Sequence, residues 1–220
     1  MNQKKTRPIR ADDATQPAPA RGRPAGDHDA KRKELLRAAA AVIAQEGYAK
    51  ASLRTVAQYA GQSTGAVTYY FANKEELIIA LLESAFDRFD AMLESVRESG
   101  NIRALFRYWL ALSKRSTQLH AVSELLAQGR YEPAFAKVIA RRYAHYRKTH
   151  TEILKAAQER GTVRGDIAAE VLTDQLVAMG DGWMLMYPVE PERFTPQRIR
   201  TLIDAVDILI TPAPATHTAP

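Results

Sequence analysis

The chain has 220 residues, of which 46% are hydrophobic and 25% charged, with no cysteine and a net charge of +6. That length and composition suit one or two globular domains with a real core, and the missing cysteines exclude disulfides and thiolate metal sites. No run approaches the ~20 apolar residues of a membrane span, and the basic N-terminus lacks the apolar segment of a secretory signal, so the sequence predicts a cytoplasmic protein.

The positive charge is concentrated at one end. Residues 1–26 hold six Lys/Arg against two Asp and residues 27–75 hold seven against five, while residues 76–220 balance at eighteen against eighteen. A phosphate backbone would bind that first third, with salt-sensitive affinity from counterion release; the alternative is a basic tail that aids solubility. Residues 1–27 are rich in Pro, Ala, Arg and Asp without periodicity, which predicts a disordered basic arm. Within it, Arg21-Gly22-Arg23-Pro24 makes Arg21 and Arg23 candidates for an A·T-rich minor groove beside a major-groove helix.

A helix is expected from about Asp29 to Glu46, with Leu35, Leu36, Ala39, Ala40 and Ile43 as its buried stripe and Gly47 as its stop. Tyr48 then packs back as an aromatic plug. Lys31, Arg32 and Lys33 open this helix, where they either reach phosphates or form a solvated face.

The stretch SLRTVAQYAGQSTGAVTYYFANK, residues 52–74, reads as two short helices joined by a tight turn. Ser52 caps the first, which runs from about Leu53 to Ala60 with Val56, Ala57 and Ala60 on a narrow apolar face. Gly61 suits the left-handed residue that ends a helix, and Ser63 caps a second helix running from Thr64 through Tyr70. Val67 and Phe71, four apart, share the inward face. Gly65 and Tyr69 point the opposite way, flanked by Ala66 and Thr68, so the outer face is small, polar and aromatic with no charged side chain. Such a face suits a recognition helix in the major groove, where Thr hydrogen-bonds bases or touches a thymine methyl and Ala does the latter. Spacing alone leaves a second reading open, a helical hairpin within an ordinary all-α core.

The residues themselves go further than the spacing. From about Lys31 to Leu82, the run LLRAAAAVIAQEGY, the helix-turn-helix and the string AG-x-S-x-G-x-V-x-x-Y-F-x-N-K-E-x-L resemble the DNA-binding segment of the tetracycline-repressor (TetR) family of bacterial regulators. The chain departs from many members in carrying Thr68 where they carry Tyr. The resemblance and the geometry agree on contacts: Thr64, Gly65, Ala66, Thr68 and Tyr69 toward bases, and Ser52, Arg54, Ser63, Tyr70 and Lys74 toward phosphates. The resemblance implies a regulator of operator DNA in which Lys74 contacts the backbone and the next helix links the reading head to an effector domain. Asn73 caps that helix, which is expected to reach about Ser99 with Leu77, Leu81, Ala85, Phe89, Met92 and Val96 on one face.

Helix follows helix thereafter: Ile102 to about Thr117, Leu119 to Gln128, Pro133 to about Arg160, Ile167 to about Tyr187 with Asp166 as cap, and Pro196 to about Ile210. No strand pattern appears, so the expected class is all-α, with about nine helices. The expected division is a head over 28–75, a larger effector and dimerisation domain over 76–212, and a disordered tail over 213–220. Leu172, Leu176, Met179, Trp183 and Met186 fall four and three apart, as do Ile199, Leu202, Ile203, Val206, Leu209 and Ile210 on the last helix. The resemblance implies a homodimer through a four-helix bundle, which makes Leu172, Leu176, Trp183, Ile199, Leu202, Ile203 and Val206 the expected interface; otherwise both stripes face the chain's own core. It also implies an unidentified small-molecule effector in a cavity among the middle helices. Candidate lining residues are Phe106, Trp109, Leu110, His120, Leu125, Tyr143, Tyr146, Met179 and Trp183.

Catalytic constellations are missing. The five His stand at 28, 120, 145, 150 and 217; His145 and His150 lie on different sides of a helix, and His120 with Glu124 offers two metal ligands at most. No Gly-rich phosphate loop follows a strand and no GxSxG occurs. Neither enzyme, metal site nor cofactor is expected. A ligand-independent architectural DNA-binding protein would not need a neutral all-α domain, and an activator would share the fold and contacts of a repressor.

Overall fold

The computed structural model describes residues 25–212 apart from residue 116. The predicted arm with Arg21 and Arg23, the tail from residue 213 and the side chain of Trp109 lie outside the described residues. Those residues form nine α-helices and two short 3-10 turns, with no strand among them. The helices are α1 (Ala25–Glu46), α2 (Leu53–Tyr59), α3 (Thr64–Thr68), α4 (Lys74–Ser99), α5 (Ile102–Arg115), α6 (Thr117–Gln128), α7 (Pro133–Glu159), α8 (Ala169–Met186) and α9 (Pro196–Ile210). The turns span Tyr48–Lys50 and Pro191–Phe194.

Local chemistry sets most of these boundaries. Gly47 (φ 86) follows α1 and Gly100 (φ 67) follows α4, both in the left-handed region that residues with a Cβ avoid. Asn73 Oδ1 accepts the Glu76 amide at 2.8 Å and Thr195 Oγ1 accepts that of Arg198 at 3.2 Å, capping α4 and α9. Two helix starts differ from expectation in an informative way. Helix α1 begins at Ala25, inside the stretch assigned to the arm. Helix α8 begins at Ala169 with no side-chain cap, because the Asp166 carboxylate pairs instead with the Arg164 guanidinium at 2.6 and 2.7 Å.

Two apolar cores result, and α4 belongs to both. The first gathers the stripe of α1, Val56 and Ala57 of α2, Val67, Phe71 and the start of α4 through Leu82. It also takes in Ala121 and Leu125 of α6 and Phe135 and Val138 of α7, so it crosses the expected boundary at residue 75. The second core joins the rest of α4, from Phe86 to Val96, with α5, α7, α8 and α9.

One polar group sits uncompensated in the second core. His150 is 1% exposed, and neither ring nitrogen has a hydrogen-bond partner among the described residues. Burial holds its pKa down to about 4. The unfolded chain therefore binds an additional proton between that value and the ordinary imidazole range, and stability falls as pH drops through the window. His150→Leu should abolish this term: denaturant titrations of wild type should lose up to about 3 kcal/mol more than the variant between pH 6.5 and 4.

Candidate nucleic-acid interface

The reading unit is built from two capped helices and a glycine turn. Ser52 Oγ accepts the Thr55 amide at 3.1 Å while Thr55 Oγ1 accepts the Ser52 amide at 2.8 Å, a reciprocal cap that starts α2. Val56 and Ala57 bury completely, and Gly61 (φ 63) turns the chain. Ser63 Oγ then accepts the Ala66 amide at 3.1 Å and starts α3. Val67 and Phe71, at 0% and 1% exposure, hold α3 onto the first core. Helix α3 is only five residues long; Tyr69 serves as its C-cap and Tyr70 continues a turn, so it stops short of the expected end.

The residues assigned to bases share one surface. Thr64, Gly65, Thr68 and Tyr69 are exposed and Ala66 is half-buried. Tyr69 is 73% exposed, a large value for an aromatic ring. Thr68 Oγ1 donates to the Gly65 carbonyl at 3.0 Å, which leaves the hydroxyl oxygen free to accept. Nothing inside the protein requires glycine at 65, since an added Cβ would meet only Ser63 Oγ at 3.9 Å. Three rings close the end of this face: the His28 centroid is 5.8 Å from Tyr69 and 4.6 Å from Tyr70, and the two tyrosines are 5.1 Å apart.

The phosphate set is more varied. Arg54 and Ser63 are exposed, while Ser52, Tyr70 and Lys74 are half-buried. Lys74 Nζ donates to the Tyr48 carbonyl at 2.7 Å and lies 3.9 Å from the centre of the Tyr48 ring, and burial lowers its pKa. Of the basic residues expected to open α1, which lie in its second and third turns, Lys31 pairs with Glu34 at 3.0 Å and Arg32 stacks over Phe71 at 5.3 Å, while Lys33 is exposed. Sequence reasoning missed the attachment of this head to α6 and α7. The Tyr48 amide donates to Glu124 Oε1 at 2.5 Å, and the Tyr48 hydroxyl to Glu132 Oε1 at 3.3 Å. No local signal marks pairs so far apart in the chain.

The residues expected to line an effector cavity scatter. Leu125 closes the first core, Phe106, Leu110 and Tyr146 are buried in the second, and His120 is exposed. Tyr143 is half-buried and donates to Asp181 Oδ2 at 3.1 Å; burial pushes that carboxyl up to about 6. Met179 and Trp183 meet in a cleft of about 420 Å³ between α8 and α9, with Met186, Phe194 and Leu202 on its walls and Arg193 and Arg198 at its rim. The interface candidates also divide. Leu172, Leu176, Ile203 and Val206 are at most 5% exposed and seal the chain's own core, with Trp183, Ile199 and Leu202 packed at its edge. The apolar side chains left outward on these helices are Val171, Leu185, Met186, Ile208 and Leu209, from 37% to 77% exposed. Among the described residues no helix is long and apolar enough to cross a membrane, and no cluster of three or more His, Asp or Glu forms a metal site.

A capped helix-turn-helix presenting an uncharged polar and aromatic face belongs to the class of DNA-reading proteins. The comparisons with known proteins narrow the class. Residues 35–81 match the model of the tetR family of bacterial regulatory proteins, and residues 99–206 match the C-terminal domain of BetI-type transcriptional repressors. The chain is 30% identical over 157 residues to the HTH-type transcriptional repressor AcnR of Corynebacterium diphtheriae, covering 70% of this chain and 79% of that protein. It is 28% identical over 167 residues to the nicotine-responsive repressor HdnoR of Paenarthrobacter nicotinovorans, covering 73% and 85%. A transcriptional regulator of Rhodococcus sp. Rha1 superposes with a TM-score of 0.68 at 27% identity, covering 81% of this chain and 95% of that one. The chain belongs to the TetR family: it is a DNA-binding transcriptional regulator and not an enzyme. Regulators of this family bind DNA operators, typically as homodimers that answer to small-molecule effectors.

Because α3 has so few residues, its cap carries unusual weight. Ser63→Ala should cost about 1 kcal/mol of stability in urea unfolding and weaken binding to any duplex, since the loss falls on the reading helix itself.

Proposed function

We propose that the chain is a homodimeric repressor that reads a palindromic operator with α3 of each subunit and is released from it by a small-molecule effector. The observation that carries this reading is the outward face of α3, where Thr64, Gly65, Thr68 and Tyr69 stand exposed on a unit pinned from behind by Val67 and Phe71. In the proposed complex Thr64, Ala66, Thr68 and Tyr69 meet base edges and Gly65 lets the backbone approach closely. Arg54, Ser52, Ser63, Tyr70 and Lys74 hold phosphates and so set register without reading sequence. Lys74 uses one N–H on the Tyr48 carbonyl and keeps two donors for a phosphate oxygen. Arg21 and Arg23 extend the contact into the minor groove, drawing on the +4 of residues 1–26.

A palindrome needs two heads set about one duplex turn apart. We place the subunit interface on the outer faces of α8 and α9, where Val171, Leu185, Ile208 and Leu209 are uncovered. The relative HdnoR is nicotine-responsive, which supports a small-molecule effector for this chain, and the polar groups of α7 and α8 (half-buried Tyr143 and Asp181, buried His150) are natural points for such a ligand to engage. Linkage then requires that an effector lowering operator affinity bind more weakly to the operator complex by the same factor.

Enrichment of duplexes from a randomised library should return a palindrome; recovery of no motif would refute the reading. On that duplex, Tyr69→Ala and Thr64→Ala should change the preferred base at the affected pair by about 1–3 kcal/mol. Lys74→Ala should instead weaken all sequences alike, and the opposite pattern would reverse the assignment of faces. Light scattering should give a dimer at micromolar concentration, and the double variant Leu185→Asp/Ile208→Asp should be monomeric and lose operator binding.

A further inference from the structure

The ring cluster at the end of α3 assigns a role to a residue outside the helix-turn-helix. We propose that His28, in the first turn of α1, is a specificity-determining positioning residue that fixes the Tyr69 ring in its base-reading orientation. This rests on the operator-reading function proposed above and names a further part of its machinery.

Tyr69 needs such support. It is the C-cap of a five-residue helix, its side chain points away from the core, and it is 73% exposed. Among the described residues its ring neighbours are His28 and Tyr70. A side chain that must choose between base pairs loses discrimination if it enters the groove in several rotamers, so its orientation has to be set beforehand.

His28 is placed to set it. Its ring meets Tyr69 edge-on, at an interplanar angle of 72°, and lies tilted over Tyr70, while the two tyrosines are nearly perpendicular at 87°. All three centroid distances, from 4.6 to 5.8 Å, fall in the range of attractive aromatic pairs. The helix that carries His28 is anchored two turns further along, where Leu35 and Leu36 are at 0% and 2% exposure. The cluster therefore ties the loose end of the recognition helix to α1. The imidazole is half-buried, with Nδ1 3.8 Å from the Asp29 carboxylate, so it shares the outer surface with Tyr69 rather than filling the core.

The test separates a positioning ring from a phosphate contact. Duplexes would be enriched from one randomised library with wild type, His28→Ala, His28→Asn, His28→Phe and Tyr69→Ala. Each variant's affinity for the wild-type consensus duplex would be measured across salt concentration, with thermal melting as the check on folding. His28→Ala and His28→Asn should lose preference at the same base steps as Tyr69→Ala, with discrimination there falling about fivefold or more. His28→Phe should restore it, and the salt slope of His28→Ala should stay that of wild type. An unchanged motif in His28→Ala overturns the proposal, as does a shallower salt slope with the motif intact, which would make His28 a phosphate contact. Failure of His28→Phe to restore the motif overturns it too, by showing that the polar edge matters rather than the ring. A wild type that enriches no motif overturns the operator-reading function itself, and this inference with it.

Discussion

A helix of five residues does not hold its shape in water, because nucleation costs more than so few hydrogen bonds return. Helix α3 exists because two side chains four residues apart, Val67 and Phe71, are driven into a core that α1, α2 and α4 already surround. Their burial also fixes the rotation of the helix about its axis. With the inward face committed, Thr64, Gly65, Thr68 and Tyr69 are exposed as a matter of geometry. The chemistry of the outer face is thus largely free to serve recognition, since the helix is held chiefly by Val67 and Phe71.

The second constraint is the continuity of α4. Its 26 residues span about 39 Å without a break, and its two ends lie in different cores. A change in the packing of the second core reaches the head along this rod and along α6, whose Glu124 grips the Tyr48 amide. Lys74 joins the two routes: it is the first residue of α4, and its ammonium rests on the Tyr48 carbonyl and ring. The backbone at Tyr48 is therefore held from α6 on one side and from α4 on the other.

Much of this was legible in the sequence because it is local. Ser52, Ser63 and Asn73 cap the helices they were expected to cap, and Gly61 adopts the left-handed backbone its position implied. Asp166 shows the limit of that reasoning, since a neighbouring Arg164 captured the carboxylate meant for a helix terminus. Periodicity was a weaker guide on α8 and α9. It finds the apolar face of a helix without saying what covers it, and Leu172, Leu176, Ile203 and Val206 are covered by their own chain. The cavity candidates divide for the same reason: Leu125 is drawn into the first core and Phe106 into the second, while Met179 and Trp183 line the cleft between α8 and α9. His28 against Tyr69 and Glu124 on Tyr48 are contacts between distant segments, and no short-range pattern announces them.

The reach of the first core beyond residue 82 bears on how such regulators diversify. Ala121, Leu125, Phe135 and Val138 come from α6 and α7, yet they complete the hydrophobic packing beneath the reading helices. Chimeras that join this head to another effector half would carry a hole where those four side chains belong, unless the donor's helices present matching shapes. An exchange that keeps this packing has to move α6 and the start of α7 together with the head, so that the unit of folding is larger than the unit of DNA contact.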